Sequence, residues 1–141
     1  LTRVKESTPL ASDFTTSSTS ATDVTGLSIA VAANSTYRYE VWCEWASNNT
    51  SGTVTPNVTG PAGATVTGYR QATLAASTVT NGAIGISTAA AGTANSRQFM
   101  VMHGICNTAG TSGTLQVTLA SSSGHTARIY AGATIRATKV Q

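Results

Sequence analysis

In the stretch TYRYEVWCEWA, residues 36–46, every second side chain is large and apolar. Tyr37, Tyr39, Val41, Cys43 and Trp45 fall on one side of an extended chain, and Arg38, Glu40, Trp42 and Glu44 on the other. Alternation with a period of two is the signature of a strand that buries one face, because successive side chains of a pleated strand point to opposite sides. A helix would scatter these residues around its circumference. The same period recurs along the chain, in GLSIAVAA (Leu27, Ile29, Val31) and in TSGTLQVTLA (Leu115, Val117, Leu119). In SRQFMVMHGIC it places Phe99, Val101, His103 and Ile105 opposite Met100, Met102 and Cys106, so this strand is expected to be covered on both sides. Nowhere do apolar residues keep helical spacing over a full window.

The punctuation between these runs is turn chemistry. AANS, residues 32–35, is read as the turn of a hairpin joining the first two strands. Pro56 limits the run TVTPNVTG to an edge strand or a bulge, because proline cannot donate to a ladder. GPAG at residues 60–63 is a tight turn. TVTGYRQATL and GAIGIST are weaker strands, and residues 74–95 are so rich in Ala, Gly, Ser and Thr that a long loop or a close backbone approach is expected. The final stretch TARIYAGATIRATKV reads as one or two strands bent at Gly132. Eight to ten short strands without a helix define an all-β chain, an antiparallel β-sandwich of jelly-roll type. Residues 22–141 form this domain, and residues 1–21 form an extended N-terminal arm.

Composition narrows the function. Among 141 residues only 9% are charged, while Ser and Thr supply roughly 30%. Threonine suits a solvent-facing pleat, being β-branched and polar without charge. Many of the apolar residues are alanine, which buries little area, so a thin core completed by contacts with other subunits is expected. All the acids, Glu6, Asp13, Asp23, Glu40 and Glu44, precede Trp45. A net charge of +3 could suggest nucleic acid, but the cations stand singly along strands rather than in the cluster that phosphate binding needs. No apolar run is long enough to span a bilayer as a helix. Two Cys and two His without short spacing do not make a zinc site. Cys43 and Cys106 read as buried thiols, with a disulfide open if their strands are neighbours. The Asn34, Asn48, Asn49 and Asn57 sequons are what a Thr-rich chain produces by chance.

The segment SSSGH, residues 121–125, poses the question of an enzyme. A serine nucleophile needs a base and a third group to orient it. No acid follows Glu44, and the segment lies between two alternating runs, so it reads as a hairpin loop with Gly124 at the unusual backbone angle. His103 reads as a core or interface histidine; copies gathered on a symmetry axis would make it a pH-sensitive contact. Glu40 and Glu44 share a strand face about 13 Å apart, too far for a glycosidase pair. They read as an outer or intersubunit face with Trp42 as its apolar contact. Trp42, Glu40, Glu44 and His103 are thus the candidate interface residues, and no catalytic, cofactor or metal-binding residue is assigned.

Taken together, VAANSTYRYEVWCEWAS, VTGPAGATV and GTLQVTLASSSGHTARIYAGATIRATKV resemble small β-domains of tailed-bacteriophage structural proteins, of the capsid-decoration, minor-tail and fibre-tip types. The shared pattern is an Ala-Asn-x-x-Tyr lead-in at residues 33–37, a Gly-Pro-Ala-Gly-Ala turn at 60–64 and a Gly-Thr-Leu-Gln hairpin strand at 113–116. It closes with Ala131, Gly132 and the run Arg136 to Val140. The resemblance covers residues 24–140. It implies a virion location, a jelly-roll-like sandwich and a homotrimer, and it carries over no catalytic residue. The expected function is a non-enzymatic virion protein, either a capsid decoration or cement protein or a short head or tail appendage. Its partners would be the major capsid protein or tail components, with residues 1–21 as a tether. Two rivals stand beside it. One is a receptor- or carbohydrate-binding module using Trp42, Tyr69 and Tyr130, with a host surface glycan as partner; the other is a small hydrolase using His125.

Overall fold

A computed structural model describes residues 3–74, 78–89 and 94–140. Twelve strands are found among them and no helix. Two short strands, β1 (Val4–Glu6) and β2 (Phe14–Thr16), precede β3 (Thr22–Val31), β4 (Thr36–Ser47), β5 (Thr53–Thr59) and β6 (Thr65–Leu74). β7 (Thr78–Ala83), β8 (Thr88–Ala89), β9 (Gln98–Asn107), β10 (Gly113–Ser121), β11 (Ala127–Ile129) and β12 (Thr134–Lys139) complete the chain.

The strands form two antiparallel sheets. The smaller has the order β3-β10-β5-β8, and the larger runs β1-β12-β4-β9-β6-β7, with β11 also on β4 and β2 on β11. Lettered B to I along the chain, β3 to β10 give the orders B-I-D-G and C-H-E-F. That is the jelly roll: consecutive strands change sheet or step outward, and the first and last strands become neighbours. β11 and β12 lie end to end along the free edge of β4. The N-terminal residues run back along them, with β1 on β12 and β2 on β11.

The alternation read from the sequence sorts the residues into core and surface. Tyr37, Tyr39, Val41, Cys43 and Trp45 are all buried, facing Leu27, Ile29, Val31, Leu115, Val117 and Leu119 of the opposite sheet. Met100, Met102, Ile129 and Ile135 fill the remaining space. The core is bulkier than the composition suggests, because most of the large apolar residues are directed into it.

Two expected hairpins do not form. β3 and β4 lie in different sheets, so residues 32–35 cross the edge of the sandwich instead of turning back within one sheet. Asn34 takes a φ of 50° there, a left-handed conformation that asparagine tolerates. Thr108 ties the crossing down. Its hydroxyl accepts from Ser35 N at 2.8 Å and reaches the Ala32 carbonyl at 2.7 Å. The segment SSSGH likewise joins β10 of one sheet to β11 of the other. Alternation cannot distinguish the two arrangements, since a strand with one buried face fits a hairpin and a facing sheet equally well.

β5 is not an edge strand: β10 flanks it at Pro56, and beyond β8, which pairs only Thr53 and Val54, Gly85 N donates to Pro56 O at 2.9 Å. The Gly60 to Gly63 turn closes with Ala64 N donating to Pro61 O at 3.0 Å. The weak region contributes β7 and β8, while its residues 75–77 and 90–93 lie outside the described residues. Gly132, at φ 93°, makes the bend between β11 and β12.

Candidate functional site: the outer face of the large sheet

Every apolar residue on the inner side of β4 and β9 has a counterpart pointing out. The outer face carries Arg38, Glu40, Trp42 and Glu44 from β4, Phe99, Val101, His103 and Ile105 from β9, and Thr67, Tyr69, Gln71 and Thr73 from β6. Register places them in rows. Trp42 is opposite Val101, which is opposite Gln71 and then Asn81. Glu40 is opposite His103, and His103 opposite Tyr69.

Three of the chain's eight large aromatic residues lie on this one face. Trp42 is 48% exposed, Tyr69 65% and Phe99 41%. The rings of Trp42 and Phe99 meet at 5.8 Å between centroids, tilted by 59°. Val79, on β7, extends the patch. Single exposed apolar residues are ordinary, whereas several gathered on one sheet face form a candidate contact surface. Between Trp42 and Tyr69 runs a groove of about 410 Å³, with Val101, Gln71, Asn81 and His103 along it. Gln71 Nε2 donates to Asn81 Oδ1 at 3.3 Å.

Glu40 and Glu44 stand on either side of Trp42 along β4, and each is held by an arginine. Arg136 holds Glu40 and Arg97 holds Glu44, each at 2.7 Å. Both pairs are solvent-exposed and add little to stability. Arg38 stands on the same face beside Glu40 and Arg136, so the flank keeps a positive charge.

The sequence candidates therefore divide. Trp42, Glu40, Glu44 and His103 come together on one surface, with His103 exposed and outside the core. β9 is covered on its methionine side, while its other side, expected to be covered as well, is open in the single chain. Tyr69 joins this surface, but Tyr130 does not. Tyr130 is 5% exposed, lies under the Arg97 guanidinium at 4.1 Å, and donates its hydroxyl to Asn95 O at 3.1 Å. A sugar platform built on Tyr130 is thereby excluded. The sequence pattern marks Phe99 only as a strand residue; its exposure depends on which side of β9 the opposite sheet covers.

The serine-histidine segment is a turn. His125 N donates to Ser122 O at 3.1 Å, Gly124 takes φ 77°, and the Ser122 hydroxyl accepts from Thr53 N at 2.9 Å. No group of three His, Cys, Asp or Glu side chains suited to a metal occurs among the described residues. Cys43 and Cys106 lie on neighbouring strands, yet Cys43 pairs with Met100, six residues from Cys106 along β9. Both are free and buried. Burial and the neighbouring Glu44 push the Cys43 thiol up to about 12.

Comparison with known proteins adds little. No protein-family model and no curated protein matches the chain. Among solved structures it is similar to a chain of infectious bursal disease virus, Gx strain, at 8% identity and a TM-score of 0.29, covering 99% of this chain and 36% of that one. It is also similar to the VP2 subviral particle of the same virus, at 11% identity and a TM-score of 0.25, covering 99% and 37%. The chain spans about a third of those chains. Likeness at this level carries no weight for function.

Proposed function

We propose that this chain is a non-enzymatic structural protein of a tailed-bacteriophage particle, a capsid decoration protein or a short head or tail appendage, assembled as a homotrimer. The observation that carries the reading is the aromatic patch of Trp42, Phe99 and Tyr69 on an otherwise regular sheet. An apolar centre with charged pairs beside it has the anatomy of a protein interface, and aromatic residues are the side chains enriched there. The sequence resemblance to phage structural domains supplies the setting, and the jelly roll agrees with it. The fold alone does not decide, since the same architecture serves viral shells and lectins.

The test is the mass of the purified chain by sedimentation, with and without Trp42→Ser, followed by mixing with bare phage heads. A trimer that dissociates on Trp42→Ser and binds heads is expected. A wild-type chain that stays monomeric at tens of micromolar overturns the reading.

The groove favours one other reading, a glycan-binding module. Trp42 and Tyr69 offer faces for a sugar ring, and Gln71 and Asn81 offer hydrogen bonds between them. A glycan array answers it. A hit by the monomer that disappears with Trp42→Ser would select binding over assembly.

A further inference from the structure

The N-terminal residues 3–16 form a strap along the β12 and β11 edge of the larger sheet. Few of its side chains are buried: all of β1 is exposed, from residue 3 to residue 21 only Leu10 and Thr16 are buried, and Phe14 packs partly against the core. Leu10 fits beside Gly26, where a Cβ would stand 3.3 Å from Leu10 Cδ1. The remaining attachment is largely main chain. Val4, Lys5 and Glu6 pair with Thr138, Ala137 and Arg136, and Phe14 to Thr16 pair with Ile129 to Ala127. Between them Ser7 N donates to Ile135 O, Leu10 N to Ala133 O and Gly132 N to Leu10 O, at 2.8 to 2.9 Å. Asp13 accepts from Ala131 N at 2.9 Å.

A backbone edge with the sockets of Leu10 and Phe14 does not distinguish its own strap from that of an identical chain. The closed and exchanged forms make the same contacts, and differ in the connection, residues 17–21. That connection contains only Ser, Thr and Ala. Its bonds are local, Ser18 N to Thr16 Oγ1 and Ser20 N to Ser18 Oγ, apart from Ser121 N donating to Ser18 O. No apolar side chain fixes its path. Exchange of an identical element is a low-cost route to association, and addition of a strand to an open sheet edge is its usual chemistry.

We propose that in the assembled protein residues 3–16 are exchanged between copies, each strap adding to the β12 and β11 edge of a neighbouring chain and placing Leu10 in that chain's socket. The partner is a second copy of this chain. The proposal rests on the reading that copies stand side by side, and it assigns the expected arm a docking site.

Val4 and Thr138 are directly opposed across the ladder, at a spacing that a disulfide can bridge. Single variants Val4→Cys and Thr138→Cys are refolded together, oxidised and run on a non-reducing gel, with the double variant in parallel. The native Cys43 and Cys106 thiols are buried and stay out of the reaction. Exchange predicts a product of twice the chain mass joining residue 4 of one variant to residue 138 of the other, and covalent oligomers from the double variant. Linkage within single chains only, or no linkage, overturns exchange. Sedimentation of the wild type reads the assembly separately: a trimer whose links all stay within chains would sink the exchange and leave the proposed function standing.

Discussion

Gly68 and Gly104 oppose each other across β6 and β9, and neither has room for a side chain. A Cβ on Gly104 would collide with the Thr67 carbonyl and the Tyr39 hydroxyl. The nearest obstacle is the Thr67 backbone carbonyl of β6, to which the Tyr39 hydroxyl, reaching up from the core, donates at 3.1 Å. Gly104→Ala should therefore cost about 1–3 kcal/mol of stability, read as a lower urea midpoint with an unchanged slope. The thiols give a second prediction. The unfolded Cys43 thiol loses its proton near 9.0, whereas in the fold it holds it to about 12. Between those values the unfolded state binds fewer protons, so stability falls as pH rises, by up to about 1.4 kcal/mol per pH unit for one thiol. Burial moves Cys106 and Tyr39 in the same direction and deepens the loss. Urea unfolding from pH 8 to 11 should show a plateau followed by a decline, and Cys43→Ala should soften the decline.

Single elements depend on polar ties that a pattern of apolar residues does not reveal. The crossing at residues 32–35 is one case. The buried Thr108 hydroxyl bonds Ser35 N and the Ala32 carbonyl, and its own N–H donates to Ser35 O. Thr108→Val keeps the shape and removes the hydroxyl, leaving buried backbone groups without partners. A loss of about 1–3 kcal/mol is expected in chemical denaturation. Arg70 is a second case. It is 4% exposed, and its guanidinium donates to Ile86 O and Ser87 O at 3.2 and 3.0 Å, holding the turn after β7 against the sheet. Both ties span elements that are distant in the chain, so nothing local in the sequence announces them.

For the whole molecule, the decisive question is which surface stays uncovered. Trp42 lies outside the core but packs on Phe99, so Trp42→Ser should cost a single chain about 0.5–1.5 kcal/mol. If the outer face joins copies, the same change should reduce the sedimenting mass to that of one chain. A large loss of monomer stability with an unchanged mass would show that Trp42 supports its own sheet instead of a neighbour.

The long strands, their inner and outer faces and the class of fold were set by alternation visible in the sequence, whereas short β1, β2 and β8 show none. Each long strand carries its own record of which side is wet, as residues 36–46 show. That record is local, and it holds whatever the strand pairs with. Pairing is not local. AANS and SSSGH looked like hairpin turns, and only the stacking of two sheets made them crossings. Tertiary structure likewise placed Tyr130 under Arg97, left Phe99 open beside Trp42, and brought the N-terminal residues back along β12 and β11. Which polar groups meet, and which apolar ones remain outside, follows from distances between segments far apart in the chain, and side-chain period carries no information about those distances.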